Sequence, residues 1–310
     1  MNDLSDNSGG LAADTIHRIS RKLKALLPRK ACAGHLPLTD RPQKHEEKMT
    51  MKNKLGLIAA GAAAMALFPA AASAKEGPYI GLSGGLVLPG DSNNSGAFDA
   101  TVPATDDFGA IPADTPLGWN TEFDNGYAIN GQIGYAFDNG FRVELEGSYT
   151  RYDVDRHSGL TVGGANIDGV DVAVLTRGAP AATNPTVGAV IADGRGRVSN
   201  FGLFGNVFYD INTGSSFKPY VGAGIGYQWA DIQFRPSGVD VADDNDGGFA
   251  YQLMAGASFA LSDNAEIFGQ YTWRDRTDTA EVPLNLLPAT LGVETGQSII
   301  SAGVRVKFGR

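Results

Sequence analysis

The sequence holds one cysteine, Cys32, and four histidines in 310 residues. A single thiol builds neither a disulfide framework nor a thiolate cluster for zinc or iron-sulfur. Long apolar runs are scarce, and a mean hydropathy of −0.13 argues against a bundle of membrane-crossing helices. Basic charge is also short: 25 Lys and Arg stand against 34 Asp and Glu, a net charge of −9. A nucleic-acid partner, which needs a basic surface, is therefore not expected. Glycine is what abounds, with 41 residues beside 43% hydrophobic and 19% charged ones, an unusual mixture for an ordinary enzyme core.

Near the start, charge and apolarity come in a telling order. Lys52 and Lys54 precede the uncharged run Leu55 to Phe68, followed by Pro69 and the small-residue ending Ala72-Ser73-Ala74. Residues 51–74 read as a secretory signal peptide with an A-x-A cleavage site at Ala72 and Ala74, without a lipobox cysteine, so the mature chain is expected to begin at Lys75. Residues 1–50 are read as an upstream extension, disordered or not translated, since Met49 and Met51 lie next to the signal. The other reading is a basic leader, in which His17 to Lys24 forms a cationic amphipathic turn or two. Without residues 1–74 there remain 14 basic and 28 acidic side chains, no cysteine, and one histidine, His157. A chain without thiols is indifferent to an oxidising compartment.

Residues 75–310 form the third segment and carry a different pattern. From Pro78 onward no window shows convincing helical periodicity, but alternation at period two recurs in segments of about ten residues. In Phe141 to Arg151, Phe141, Val143, Leu145, Gly147 and Tyr149 alternate with Arg142, Glu144, Glu146, Ser148 and Thr150. One face suits lipid or a core, the other water. Gly126 to Phe137 repeats the pattern, and Asp138-Asn139-Gly140 joins the two as a tight hairpin. Ala250 to Leu261 and Ala265 to Arg276 flank Ser262-Asp263-Asn264 in the same way, and Val198 to Asp210 and Lys218 to Ile232 form a third pair. Pro78 to Pro89 and Gln297 to Phe308 complete eight strands.

The connections alternate in length. Residues 90–125, 152–197, 233–249 and 277–296 are long; 138–140, 211–217 and 262–264 are short. In an up-and-down sheet the short turns share one end with both termini and the four long loops share the other, the arrangement of an outer-membrane barrel. Because an unpaired backbone group in hydrocarbon costs several kcal/mol, the sheet must close on itself. The fold expected is all-β: an eight-stranded antiparallel up-and-down transmembrane β-barrel, its interior filled by side chains. Aromatic residues fall into two belts, as two membrane interfaces select. Tyr79, Tyr135, Phe137, Phe141, Tyr209, Phe259 and Phe308 lie toward the short turns, and Tyr127, Tyr149, Phe201, Tyr227, Trp229, Tyr251, Tyr271 and Trp273 toward the long loops.

These residues, together with the opening Pro78-Tyr79-Ile80-Gly81-Leu82-Ser83-Gly84-Gly85 and the closing Ala302-Gly303-Val304-Arg305-Val306-Lys307-Phe308, resemble the small eight-stranded outer-membrane barrels of the OmpA/OmpX type, including porin-family and surface-antigen proteins. The resemblance covers Lys75 to Arg310. It implies location in the cell outer membrane, contact with lipid and lipopolysaccharide, and a terminal aromatic, here Phe308, read by the barrel-assembly machinery. It does not imply tethering to the cell wall, which larger members achieve with a peptidoglycan-binding domain.

The inward face is expected to gather Arg142, Glu144, Glu146, Glu266, Arg274, Arg305 and Lys307. Charges confined in a narrow lumen must pair, so a salt-bridged plug is expected, with a gate for ions as the sharper alternative. No catalytic, cofactor or metal residues are expected. His157 has Asp155 and Ser158 beside it but reads as a solvated loop histidine, since a base needs a rigid partner shell. The acidic stretch Asp240, Asp243, Asp244, Asp246 and Gly247 does not fit the EF-hand pattern and reads as a solvated charge run, with weak divalent binding as the alternative. Gly222 to Gly226 mimics a dinucleotide fingerprint without its helix and is read as barrel curvature. The function expected is structural and surface-interacting, with loops that could meet host or phage surfaces. A narrow channel for small solutes, ions or apolar molecules is the alternative, and a lipid-modifying enzyme using His157 comes third.

Overall fold

Eight strands pair in a ring, and the ring closes. The computed structural model describes residues 76–308; the extension 1–50, the signal segment 51–74 and its cleavage residues Ala72 and Ala74 lie outside the described residues. Among those, thirteen strands occur in chain order: β1 (Gly77–Pro89), β2 (Ser92–Phe98), β3 (Pro116–Phe123), β4 (Gly126–Ala136), β5 (Phe141–Val162), β6 (Ala165–Asn166), β7 (Gly196–Asp210), β8 (Phe217–Phe234), β9 (Ala242–Ala260), β10 (Ala265–Arg276), β11 (Ala280–Pro283), β12 (Ala289–Val293) and β13 (Gln297–Lys307). Two short helices, α1 (Ala173–Thr176) and α2 (Val187–Ile191), separate β6 from β7.

The wall runs β1-β4-β5-β7-β8-β9-β10-β13 and back to β1, antiparallel at every seam. Following cross-strand partners from Tyr79 leads through Gly134, Glu144, Asn206, Gly224, Gln252, Arg274 and Gln297 to Pro89, ten residues further along β1 than the start. With strands ~4.8 Å apart and ~3.3 Å per residue, that stagger tilts the strands by about 40°. No backbone edge is left within the wall, which is what a hydrocarbon environment demands.

Alternation along each strand sorts the two faces. Ile129, Ile133, Val143, Leu145, Leu203, Val207, Val221, Ile225, Leu253, Ile267 and Ile300 are exposed on the outside, while Arg142, Glu144, Glu146, Asn206, Gln252 and Arg274 are buried inside. The inward positions also carry five large rings, each directly opposite a glycine on the neighbouring strand: Tyr79–Gly134, Phe204–Gly226, Phe208–Gly222, Tyr220–Gly256 and Phe268–Gly303. A Cβ on any of these glycines would run into the opposing ring. The run Gly222 to Gly226 thus makes room inside a tightly curved wall.

The long connections are not open loops, which corrects the sequence expectation. β5 extends 22 residues, from Phe141 to Val162, and β8 and β9 stay paired up to Phe234 and Ala242. A second sheet, ordered β11-β12-β2-β3-β5-β6, shares β5 with the wall. Together these elements make a folded head on the end away from the short turns. The alternation predicted that the strands would stop near Arg151, Val198, Ile232 and Ala250 because polarity inverts there. On β5 the inward residues change from Glu146, Ser148 and Thr150 to Tyr152 and Val154, while Asp153 and Asp155 face out. Below that level the outside is apolar and the inside polar. Above it the pattern is that of a water-soluble domain, with Val198, Ile232, Phe234, Ala242, Val282, Leu291 and Val293 in a buried apolar core.

Candidate functional site: a plugged lumen beneath a folded head

The lumen is crossed by a continuous polar network. Arg274 on β10 and Glu146 on β5 stand four strands apart in either direction around the wall, yet Nη2 lies 2.8 Å from Oε1. Arg274 also donates to Gln252 Oε1 at 2.7 Å and to Ser148 Oγ at 2.9 Å. Gln252 donates to Asn206 at 2.8 Å, and Asn206 donates to both Glu144 and Glu146. Toward the short turns, Tyr79 donates to Glu144 at 2.8 Å, Arg142 pairs with Asp210 at 2.8 Å, and Glu266 holds Arg305 and, at 3.4 Å, Lys307.

Two features of this network were not read from the sequence. Asp210 contributes a fourth carboxylate, so the four cations face four acids. It closes β7 two residues beyond Phe208, the cross-strand partner of Arg142, so the diagonal neighbour rule offered the signal. The second is aromatic. Arg142 lies over Phe208 at 4.5 Å and Tyr220 at 5.0 Å, Arg274 over Phe204 at 4.1 Å, and Arg305 over Phe268 at 4.6 Å. Cations desolvated between carboxylates and ring faces have both charge and stacking partners.

Tyr79 is a correction. It was assigned to an interface belt but is wholly buried in the lumen. It shares the inward face of β1 with Gly81 and Ser83, which are also buried, so alternation rather than ring type decides. Outside the wall, Tyr135–Phe137 and Phe141–Tyr209 pair at 5.0 and 5.1 Å toward the short turns, where Phe308 is also exposed. Toward the head, Tyr127–Tyr149, Tyr227–Trp229 and Tyr251–Trp273 pair at 6.2, 4.8 and 5.5 Å. Tyr271 joins them through a 2.9 Å hydrogen bond to Ser298.

His157 is the second correction, for it is 3% exposed rather than solvated. Phe123 pairs with Val154 and Glu122 with Arg156, leaving Asp155 as an extra residue in β5. This bulge changes the parity of the strand and turns His157 inward. A second register shift follows at Gly159, whose φ of +71° suits glycine, and brings Leu160 inside. His157 packs edge-on to Phe234 at 4.9 Å and Trp119 at 6.2 Å. Desolvation on burial pushes its imidazole down from 6.5 to about 4, so it is neutral at pH 7.

These rings line a cavity of about 90 Å³ in the head. Leu117, Leu160 and Ile191 line it as buried side chains, and Leu175, Leu284 and Leu286 as more accessible ones. The acidic stretch leans on arginines: Arg235 pairs with Asp240 and Asp243 at 2.6 and 2.7 Å, and Arg276 with Asp246 at 2.9 Å. Among the described residues no group of three or more His, Cys, Asp or Glu could hold a metal ion.

A closed antiparallel barrel with an apolar exterior and a polar interior defines an outer-membrane β-barrel protein. Residues 113–305 match the surface antigen family, and the chain belongs to it. A relative described as an outer membrane protein, from Gluconacetobacter diazotrophicus, is 27% identical over 209 residues, 64% of this chain and 46% of its own length. The chain thus spans about half the length of that relative. Two solved structures are also similar. The Neisserial surface protein A is 18% identical, with a TM-score of 0.37 over 77% of this chain and 100% of its own. The outer membrane protein OprG from Pseudomonas aeruginosa is 15% identical, with a TM-score of 0.46 over 77% and 99%.

Proposed function

We propose that this protein is a non-conducting, non-enzymatic barrel that holds a folded head above the outer membrane for contact with host or phage surface ligands. Lipid and lipopolysaccharide surround its wall, and the barrel-assembly machinery reads its Phe308 end. The observation that carries the reading is the Arg274–Glu146 pair, which spans the lumen and is bound on both sides by Gln252, Ser148 and Asn206. Opening an ion path would strand buried charges, which is strongly unfavourable.

Planar-bilayer recording of the wild type and of Glu146→Ala tests it. Flat traces from both support a structural plug. Conductance steps in the wild type, or their appearance in Glu146→Ala alone, would favour the narrow-channel reading, with the pair as its gate. The surface role is tested with intact cells displaying the chain. Binding to a host or phage surface should vanish when the head is shaved by protease while the barrel remains.

A further inference from the structure

We propose that the cavity in the head binds a small uncharged molecule, largely apolar, whose single oxygen accepts hydrogen bonds from Trp119 and His157. Ketones, esters and ethers are the class. The inference goes beyond surface contact and does not depend on it.

Of the side chains that line the cavity, Trp119 and His157 alone carry polar atoms. Trp119 Nε1 and His157 Nε2 are both buried, on residues 8% and 3% exposed, and neither has a hydrogen-bond partner among the described residues. Buried donors without partners are rare and call for an explanation.

In the proposed site both atoms donate. For the indole this is fixed by chemistry. For the imidazole it belongs to the tautomer in which Thr121 donates to Nδ1, a direction with which the hydrogen-bond chain behind Thr121 is consistent. The Glu294 backbone N–H donates to Ser92 Oγ at 2.9 Å, and Ser92 donates to Asn94 Oδ1 at 2.7 Å. Asn94 Nδ2 donates to Thr121 Oγ1 at 2.6 Å, which leaves the Thr121 proton for His157 Nδ1 at 2.8 Å. In that tautomer the neutral ring carries its proton on Nε2.

Two donors and no acceptor select against water. A water accepting from both would leave its own protons facing carbon, and a buried water needs two to four polar partners. A carboxylate is selected against too, because neither donor is charged and a buried anion needs a cation. An oxygen without protons satisfies both donors.

Size and access agree with such a ligand. The space is smaller than an apolar cavity of ~150 Å³ that holds benzene, so the polar end enters and the apolar body fills the mouth. Leu286 is exposed and Leu175, Leu284 and Leu287 are half-buried, forming an apolar rim open to the outside.

The test uses the mature chain, ¹⁵N-labelled in lipid nanodiscs, with acetophenone as probe and ethylbenzene as its counterpart lacking the oxygen, at equal free aqueous concentrations. Acetophenone should shift the Trp119 indole N–H saturably and leave those of Trp229 and Trp273 in place. Ethylbenzene should bind about tenfold more weakly. His157→Phe, read at Trp119, should weaken acetophenone about threefold, to between the wild-type and ethylbenzene affinities, since the Trp119 donor remains. Equal affinity for the two probes in the wild type, or no saturable shift at Trp119, overturns the proposal whether or not the variant folds.

Discussion

Arg274 and Glu146 meet across the full width of the barrel, 128 residues apart in sequence and 2.8 Å apart in space. Removing either partner leaves the other buried and unpaired. Glu146→Ala is expected to destabilise the folded barrel by about 3–5 kcal/mol, whereas Glu146→Leu combined with Arg274→Met should recover most of that loss. Urea titration in lipid vesicles, read by the heat-modifiable gel band, compares them. Equal damage from the single and double replacements would show that packing, not charge pairing, sets the cost.

Glycines on the two faces should respond oppositely. Gly222 faces Phe208 across the β7–β8 ladder, with no room for a Cβ, whereas Gly131 and Gly147 face open space. Gly222→Ala is expected to cost about 1–3 kcal/mol through overpacking. Gly147→Ala should stay within about 0.5 kcal/mol of the wild type. The same titration checks both.

Membrane depth can be read from the three tryptophans. Trp229 and Trp273 are exposed on the wall toward the head, and Trp119 is buried inside the head. In single-tryptophan chains, lipids brominated near the headgroup should quench Trp229 and Trp273 strongly and Trp119 hardly at all. Strong quenching of Trp119 would place the head within the bilayer.

Acid should loosen the head before it touches the barrel. In the unfolded head His157 binds a proton near 6.5, in the folded head near 4. Between these values the unfolded form holds more protons, so stability rises with pH across that window. The contribution is complete above about 6.5 and is lost as pH falls toward 4. Limited proteolysis of the head should quicken over this range in the wild type but not in His157→Gln. An unchanged rate in the wild type would rule out this linkage.

Much of the wall is written in period-two alternation, because within a bilayer the outside must be greasy and the inside polar. The hairpin at Asp138-Asn139-Gly140 and the pattern of Phe141 to Arg151 are legible for that reason. The head is not, since the rule inverts once the strands leave the membrane: Tyr152 and Val154 point inward where Thr150 and Ser148 did. A reader following a single period sees the pattern break and places a loop there. His157 was hidden by the bulge at Asp155, because one extra residue changes which face a side chain takes, and register shifts depend on the partner strand. The ring of Tyr79 suggests an interface belt, but parity decides: Lys307, its cross-strand partner on β13, is already read as facing inward.

β5 belongs to two sheets at once, and through it residues as distant in the chain as Ser95, Gly118 and Gly292 lie side by side in the ladders of the head. An antibody that grips this patch reads several segments together. Short peptides copied from any one of them would fail to reproduce the epitope, and useful immunogens would have to present the assembled protein.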